Sequence, residues 1–188
     1  MKKYLASLIT LILLSGFLPI EVKDQAGQDL VTAPKVYTLV NLHPDPIHRR
    51  MYAVNYQRGG LIPRCTEVDL TAATSKKVTF INKANNQEYI YINHRAAAEP
   101  FETHLLHFFG TNCDKNAVKS LSEVDQKGIK SGQALVGMSK QGVIYARGIP
   151  PKHVTPSTDM DTWTYWLNRF NRQKVVFDSA GKVSQIID

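Results

Sequence analysis

The sequence predicts an α+β chain in two parts: a small β-barrel-like unit, then a helix laid on a three-stranded antiparallel meander. Three observations carry that expectation. Between Val36 and Ile92, short runs rich in β-branched and aromatic residues recur at a spacing of roughly 10–15 residues, with turn-like segments between some of them. From Ser139 to Gly148 the chain shows helix start and stop signals, and Pro150-Pro151 forbids continuation. Three further β-rich runs then follow before Asp188. Apolar content of 43% and charged content of 21% are near globular averages and argue against wholesale disorder.

Taken in order, Met1-Lys2-Lys3 is a short positive start, and Leu5 to Ile20 follows without a charged side chain. That run of 16 residues is slightly short for a helix crossing ~30 Å of hydrocarbon. Residues 1–26 therefore read as a signal peptide or an N-terminal anchor. No cysteine precedes Cys65, so an N-terminal lipoprotein is not expected. Export would place the chain in the periplasm, or at the outer-membrane periphery, of a Gram-negative-type envelope. Residues 27–35 are polar, lack periodicity and read as a linker.

Residues 36–110 form the β-rich unit. Its strands are expected at Val36–Val40, Arg50–Val54, Thr66–Leu70, Lys77–Ile81 and Glu88–Ile92. Five short strands leave open edges, which closure into an SH3-like barrel would remove. Phe101, Leu105, Phe108 and Phe109 follow helical spacing, so a helix is expected over 100–109 with Gly110 as its cap. Residues 111–128 read as a polar connector with a weak turn near Ala117–Leu121. In 129–188, Ser139 is the expected N-cap and Gly148 the stop of one helix. Strands are expected at Thr162–Trp166, Lys174–Asp178 and Val183–Ile187. The last two meet through a Gly181 hairpin.

Gly137-Met-Ser-Lys140, Val143, Gly148-Ile-Pro150, Trp163-x-Tyr165, Val175-x-Phe177 and Gly181-Lys-Val183 together resemble the SmpA/OmlA small outer-membrane lipoprotein module. The resemblance spans about a quarter of the chain. It implies two helices packed on a three-stranded antiparallel sheet, and an accessory role in an envelope assembly. The family carries a lipidated N-terminal cysteine and no barrel-like N-terminal region, and this chain departs from it on both counts.

The formal net charge is +7, and residues 1–26 hold three lysines and two acids, so +6 remains without them. A basic surface favours anionic partners, such as an acidic protein face, an anionic membrane surface or peptidoglycan. Export argues against nucleic acid. Cys65 and Cys113 are an even pair in a chain bound for an oxidising compartment, and either a disulfide or two free thiols fits that count.

Catalytic and metal frames are thin, and no cofactor motif is present. His104 and His107, spaced i, i+3, could join His94 or Cys113 around zinc, but a solvent-facing or rim pair is the ordinary reading. Ser139 lies in a near-miss to a nucleophile elbow, with Gln141 in the second glycine position, and Cys65 would need a histidine base. Binding features are more numerous. Adjacent Tyr165 and Trp166 must face opposite sides of a strand, and Arg169 and Arg172 follow. Arg49, Arg50, Tyr52, Tyr56 and Arg58 make a second basic, aromatic stretch. The expected interface residues are Trp163, Trp166, Arg169 and Arg172, with Tyr52 and Arg58 as weaker members. The functional expectation is a non-enzymatic scaffold or accessory subunit of an envelope complex. Its rivals are a cell-wall or glycan-binding module and a hydrolase using Cys65 or Ser139.

Overall fold

The computed structural model describes residues 18–188, so most of the expected leader lies outside the described residues. Over these residues the chain is mixed α+β, mostly strands, with three α-helices and a curled six-strand sheet.

Strands β1 (Val36–Thr38), β2 (Arg50–Tyr52), β3 (Glu67–Ala73), β4 (Lys77–Asn82), β5 (Gln87–Ile92) and β6 (Phe109–Gly110) form that sheet in the order β2-β5-β4-β3-β1-β6. All neighbours are antiparallel except β2 and β5, which run parallel. The alternation in β4 sends Val78 and Phe80 inward, where Phe80 stacks on Tyr89 and meets Phe109 edge-on.

The helix expected over 100–109 is shorter than its apolar spacing implies. Helix α1 spans Phe101–Leu105, and Phe109–Gly110 instead pairs with Tyr37 and Thr38. The free edge of β1 supplies the backbone partners that a last helical turn would have supplied, so Gly110 is a strand residue and not a cap.

The polar stretch ahead of β1 also contributes to the core. Val22 and Leu30 are fully buried, Leu30 N donates to Val22 O, and Pro19 bridges to Thr74. Two apolar side chains in a polar stretch carry no periodicity, which is why the sequence reads there as a linker.

The second unit contains α2 (Glu123–Ser131), α3 (Lys140–Arg147) and the strands β7 (Thr162–Trp166), β8 (Arg172–Phe177) and β9 (Val183–Ile187), antiparallel in the order β7-β8-β9. Helix α2 begins inside the expected connector. Ser122 caps it, accepting from Asp125 N, and Gly132 ends it in the left-handed region. One carboxylate serves both helices: Asp125 Oδ1 accepts from Ser139 N and Ser139 Oγ, and its Oδ2 accepts from Ser122 Oγ. Ser139 Oγ in turn accepts from Gly142 N, the N-cap bond expected for α3.

The two units share one polar seam. The last carbonyls of a helix lack intrahelical donors, and in α3 the first unit supplies several of them. Asn41 N donates to Tyr145 O at 2.9 Å and His43 Nε2 to Ala146 O at 2.9 Å. Asn55 Nδ2 donates to Arg147 O at 2.7 Å and to Ile149 O at 2.9 Å, and Gln57 Nε2 reaches Arg147 O at 3.1 Å. Asn41 Nδ2 also donates to Ile129 O in α2 at 2.6 Å. Gly148 leaves α3 at φ 73°, and a Cβ there would lie 2.7 Å from the Phe108 ring, so this close approach needs glycine.

Candidate functional site

The seam opens at one end into a cleft of about 540 Å³. Tyr52, Tyr56, Arg58 and His94 of the first unit form one wall, and Asn168 to Asn171, the tip between β7 and β8, form the other. Two stretches separated by more than a hundred residues are thus brought together.

Each wall is locally built. Tyr52 ends β2, whose parallel pairing sets Tyr52 opposite Ile92 at the end of β5 and so brings His94 close. Tyr52, Tyr56 and His94 stand mutually edge-on or tilted, with ring centroids 5.5–6.4 Å apart. On the other wall, Asn168 Oδ1 accepts from Phe170 N at 2.8 Å and Asn171 N at 3.0 Å. That side-chain turn holds Phe170 outward, 75% exposed, with the Arg169 guanidinium over its ring at 4.4 Å.

Trp166 links the walls. Its ring meets Tyr56 at 6.1 Å and His153 at 5.5 Å, while the Arg172 guanidinium lies 4.3 Å above it. Arg58 pairs with Asp45 at 2.9 Å. The His48 backbone N–H, Arg58 and the Ile47 N–H together hold Asp45 down at about 2. His94 is lowered, by burial first and then Arg95, and His153 likewise by burial, His94 and Arg172. Both imidazoles are therefore neutral at neutral pH, when the arginines carry the charge of the site.

Of the expected interface residues, Tyr52, Arg58 and Arg169 line the cleft, and Trp166 and Arg172 adjoin it. Trp163 does not. It is fully buried, packs on Phe177 at 4.6 Å, and donates Nε1–H to Met160 O. Strand alternation puts it on the core face with Tyr165, so no surface contact falls to it. His153 joins the site without a signal of its own, whereas His94, weighed from sequence only as a zinc partner, is set there by pairing across the sheet, and Asn168 by the hairpin turn.

The remaining chemistry-bearing residues have other work. Cys65 and Cys113 form a disulfide, with Cα atoms 5.4 Å apart. The Ser139 hydroxyl is engaged by Asp125 and Gly142 N. His104 is not a rim residue: it is 3% exposed, because its ring packs against Phe108 and Tyr91. Tyr91 Oη, His104 Nε2, His104 Nδ1 and Glu99 Oε1 form a chain with 2.9 Å links. A neutral imidazole protonated on Nδ1 satisfies both ends, accepting from tyrosine and donating to carboxylate. Burial opposes ionisation of Glu99, but His104, His107 and Lys152 outweigh it and hold the carboxyl well below the usual range. Lys152 reaches Glu99 at 2.7 Å, which makes this buried cluster a second tie between the units. Among the described residues no group of three or more His, Cys, Asp or Glu is arranged to hold a metal ion. Compared with family models, curated proteins and solved structures, the chain matches none.

Proposed function

We propose that this chain is an exported, non-enzymatic binding protein of a Gram-negative-type cell envelope, holding an acidic partner protein in the cleft between its two units. One observation carries the reading: two basic, aromatic stretches remote in sequence converge on a single cleft with an exposed Phe170 at its lip. Aromatic and arginine side chains are the usual anchors of protein interfaces. The excess of basic over acidic residues complements an acidic partner and speeds encounter with it. The positive start and apolar run of the first 20 residues support export, and among the described residues no helix is long and apolar enough to cross a membrane. The non-enzymatic part is supported by the spent thiols and the spent Ser139 hydroxyl.

Two helices ahead of three antiparallel strands support an SmpA/OmlA-like unit beginning near Ser122, earlier than its motifs alone imply. The curl of the six-strand sheet supports an SH3-like unit before it.

A photo-crosslinking side chain at Phe170, used in intact cells, tests the function. The expected result is a discrete protein adduct that disappears in Arg169→Glu/Arg172→Glu. A chain that gives no adduct and instead sediments with purified sacculi overturns the scaffold reading in favour of cell-wall binding, for which the tyrosines of the cleft offer stacking faces.

A further inference from the structure

A second cavity, of about 380 Å³, is bounded by the Gly59–Leu61 loop, by the C-terminal end of α2 and by Gln173 of β8. That volume is within the range of small-molecule sites, roughly 300–1,000 Å³. Arg147, the last residue of α3, lines it. The residue is 3% exposed, and its guanidinium lies 4.3 Å from the centroid of the Tyr165 ring. Nε donates to Gln57 Oε1 at 3.2 Å and Nη1 to Gln173 Oε1. All these partners are neutral. Among the described residues no carboxylate forms an ion pair with Arg147. A buried cation supplied only with neutral acceptors is costly, and a counter-ion placed in the adjoining cavity relieves that cost.

The charges around the cavity narrow the anion. Burial draws Arg147 down to about 10, so it stays cationic at neutral pH. His43 lines the same cavity but donates Nε2–H to Ala146 O, and burial draws it down to about 4, so it adds no second positive charge. Asp188 accepts from Gln173 Nε2 at 2.6 Å and acts on Arg147 electrostatically. One full cation with an acid nearby suits a single negative charge better than a double one. The guanidinium edge matches a planar carboxylate. Leu61 and Ile186 offer an apolar wall beside it.

We propose that this cavity binds a small organic monocarboxylate, whose carboxylate pairs with Arg147 and whose short apolar body lies along Leu61 and Ile186. The site is separate from the aromatic cleft, so it stands or falls independently of the proposed partner.

Titration of the full-length protein with N-acetyl-L-alanine, followed by the NMR cross-peak of the Arg147 Nε–H group, tests it. The expected result is a saturable shift with N-acetyl-L-alanine and none with N-acetyl-L-alaninamide, which has nearly the same shape but no charge. Gln133→Glu, an exposed change at the cavity wall, is expected to weaken binding roughly fivefold or more by like-charge repulsion. Arg147→Gln is expected to abolish binding, and if that variant does not fold, Gln133→Glu carries the test alone. The proposal is overturned by the absence of a saturable shift, by equal binding of the amide, by tighter binding of inorganic phosphate, or by wild-type binding in Gln133→Glu.

Discussion

Single residues in this chain are often set by a neighbour far away in sequence, and Gly142 is the clearest case. By propensity alone, glycine inside α3 costs about 1 kcal/mol relative to alanine, so Gly142→Ala ought to stabilise. A Cβ at that position would lie 1.9 Å from Asp125 Oδ1, the atom that accepts from the N–H and hydroxyl of Ser139, the N-cap of α3. The prediction is therefore reversed: Gly142→Ala lowers the urea midpoint by the equivalent of about 1–3 kcal/mol, because the carboxylate must be pushed off its donors. His43 gives a second prediction. Its buried ring has a folded value of about 4 against an ordinary 6.5. Above pH 6.5 neither state holds the extra proton and nothing is lost. Between 6.5 and about 4 the unfolded chain takes up the proton first, so stability falls with falling pH, by up to about 3 kcal/mol. Urea midpoints measured from pH 7.5 to pH 4 are expected to drop less steeply in His43→Gln than in wild type. Neither residue could be understood from its own surroundings in the chain, since Asp125 and Ala146 reach them only through packing.

Elements whose signals are local were the legible ones. Ser139 and Gly148 bracket α3 as their residue types dictate, and β7 and β9 have the bounds their β-branched and aromatic runs imply. Helix α2 was also legible in principle. Ser122, three residues ahead of Asp125, with Gly132 beyond, is a start-and-stop pattern lacking only a strong apolar stripe. The strand Phe109–Gly110 was not, because its existence depends on the vacant edge of β1. Nor were the donors that close the end of α3: Asn41, His43, Asn55 and Gln57 sit in a β-rich region and look like turn or surface residues until the second unit is brought against them. Asn55 makes this testable. It sits at φ 49° and donates to two carbonyls beyond the seam. Asn55→Ala removes the donor and strains the backbone, for an expected loss of about 2–4 kcal/mol, whereas Asn55→Gly removes only the donor and is expected to cost about 1 kcal/mol less. Thermal denaturation of the two variants side by side separates the contributions.

For the whole molecule, the disulfide staples the first unit to the start of the connector, while the seam holds the two modest cores together. Cys65 and Cys113 join the entry of β3 to the chain just beyond β6, a sequence separation of 48 residues. In the chain-entropy model a loop of that size contributes about 4 kcal/mol. Cys65→Ala/Cys113→Ala, or reduction of the native protein, is expected to lower Tm by several degrees and to narrow the gap between 25 °C and the onset of proteolysis, both readable by calorimetry and limited digestion. The candidate site was half legible at this scale. Its arginines and aromatics stood out by type, but their meeting in one cleft, and the removal of Trp163 to the interior, follow from strand parity and from the seam.

The tucked segment at the other end of the chain sets a boundary on processing. Because Val22 and Leu30 fill the first core while Ile20 N donates to Ala73 O, a peptidase cutting after Ala26 would withdraw a buried plug from beneath β3. A variant starting at Leu18 is expected to melt like the untrimmed chain, and one starting at Gly27 several degrees lower, as the loss of one buried valine's ~2 kcal/mol implies. A removable leader that leaves the body intact is accordingly expected to end ahead of Pro19, which N-terminal sequencing of the exported protein checks.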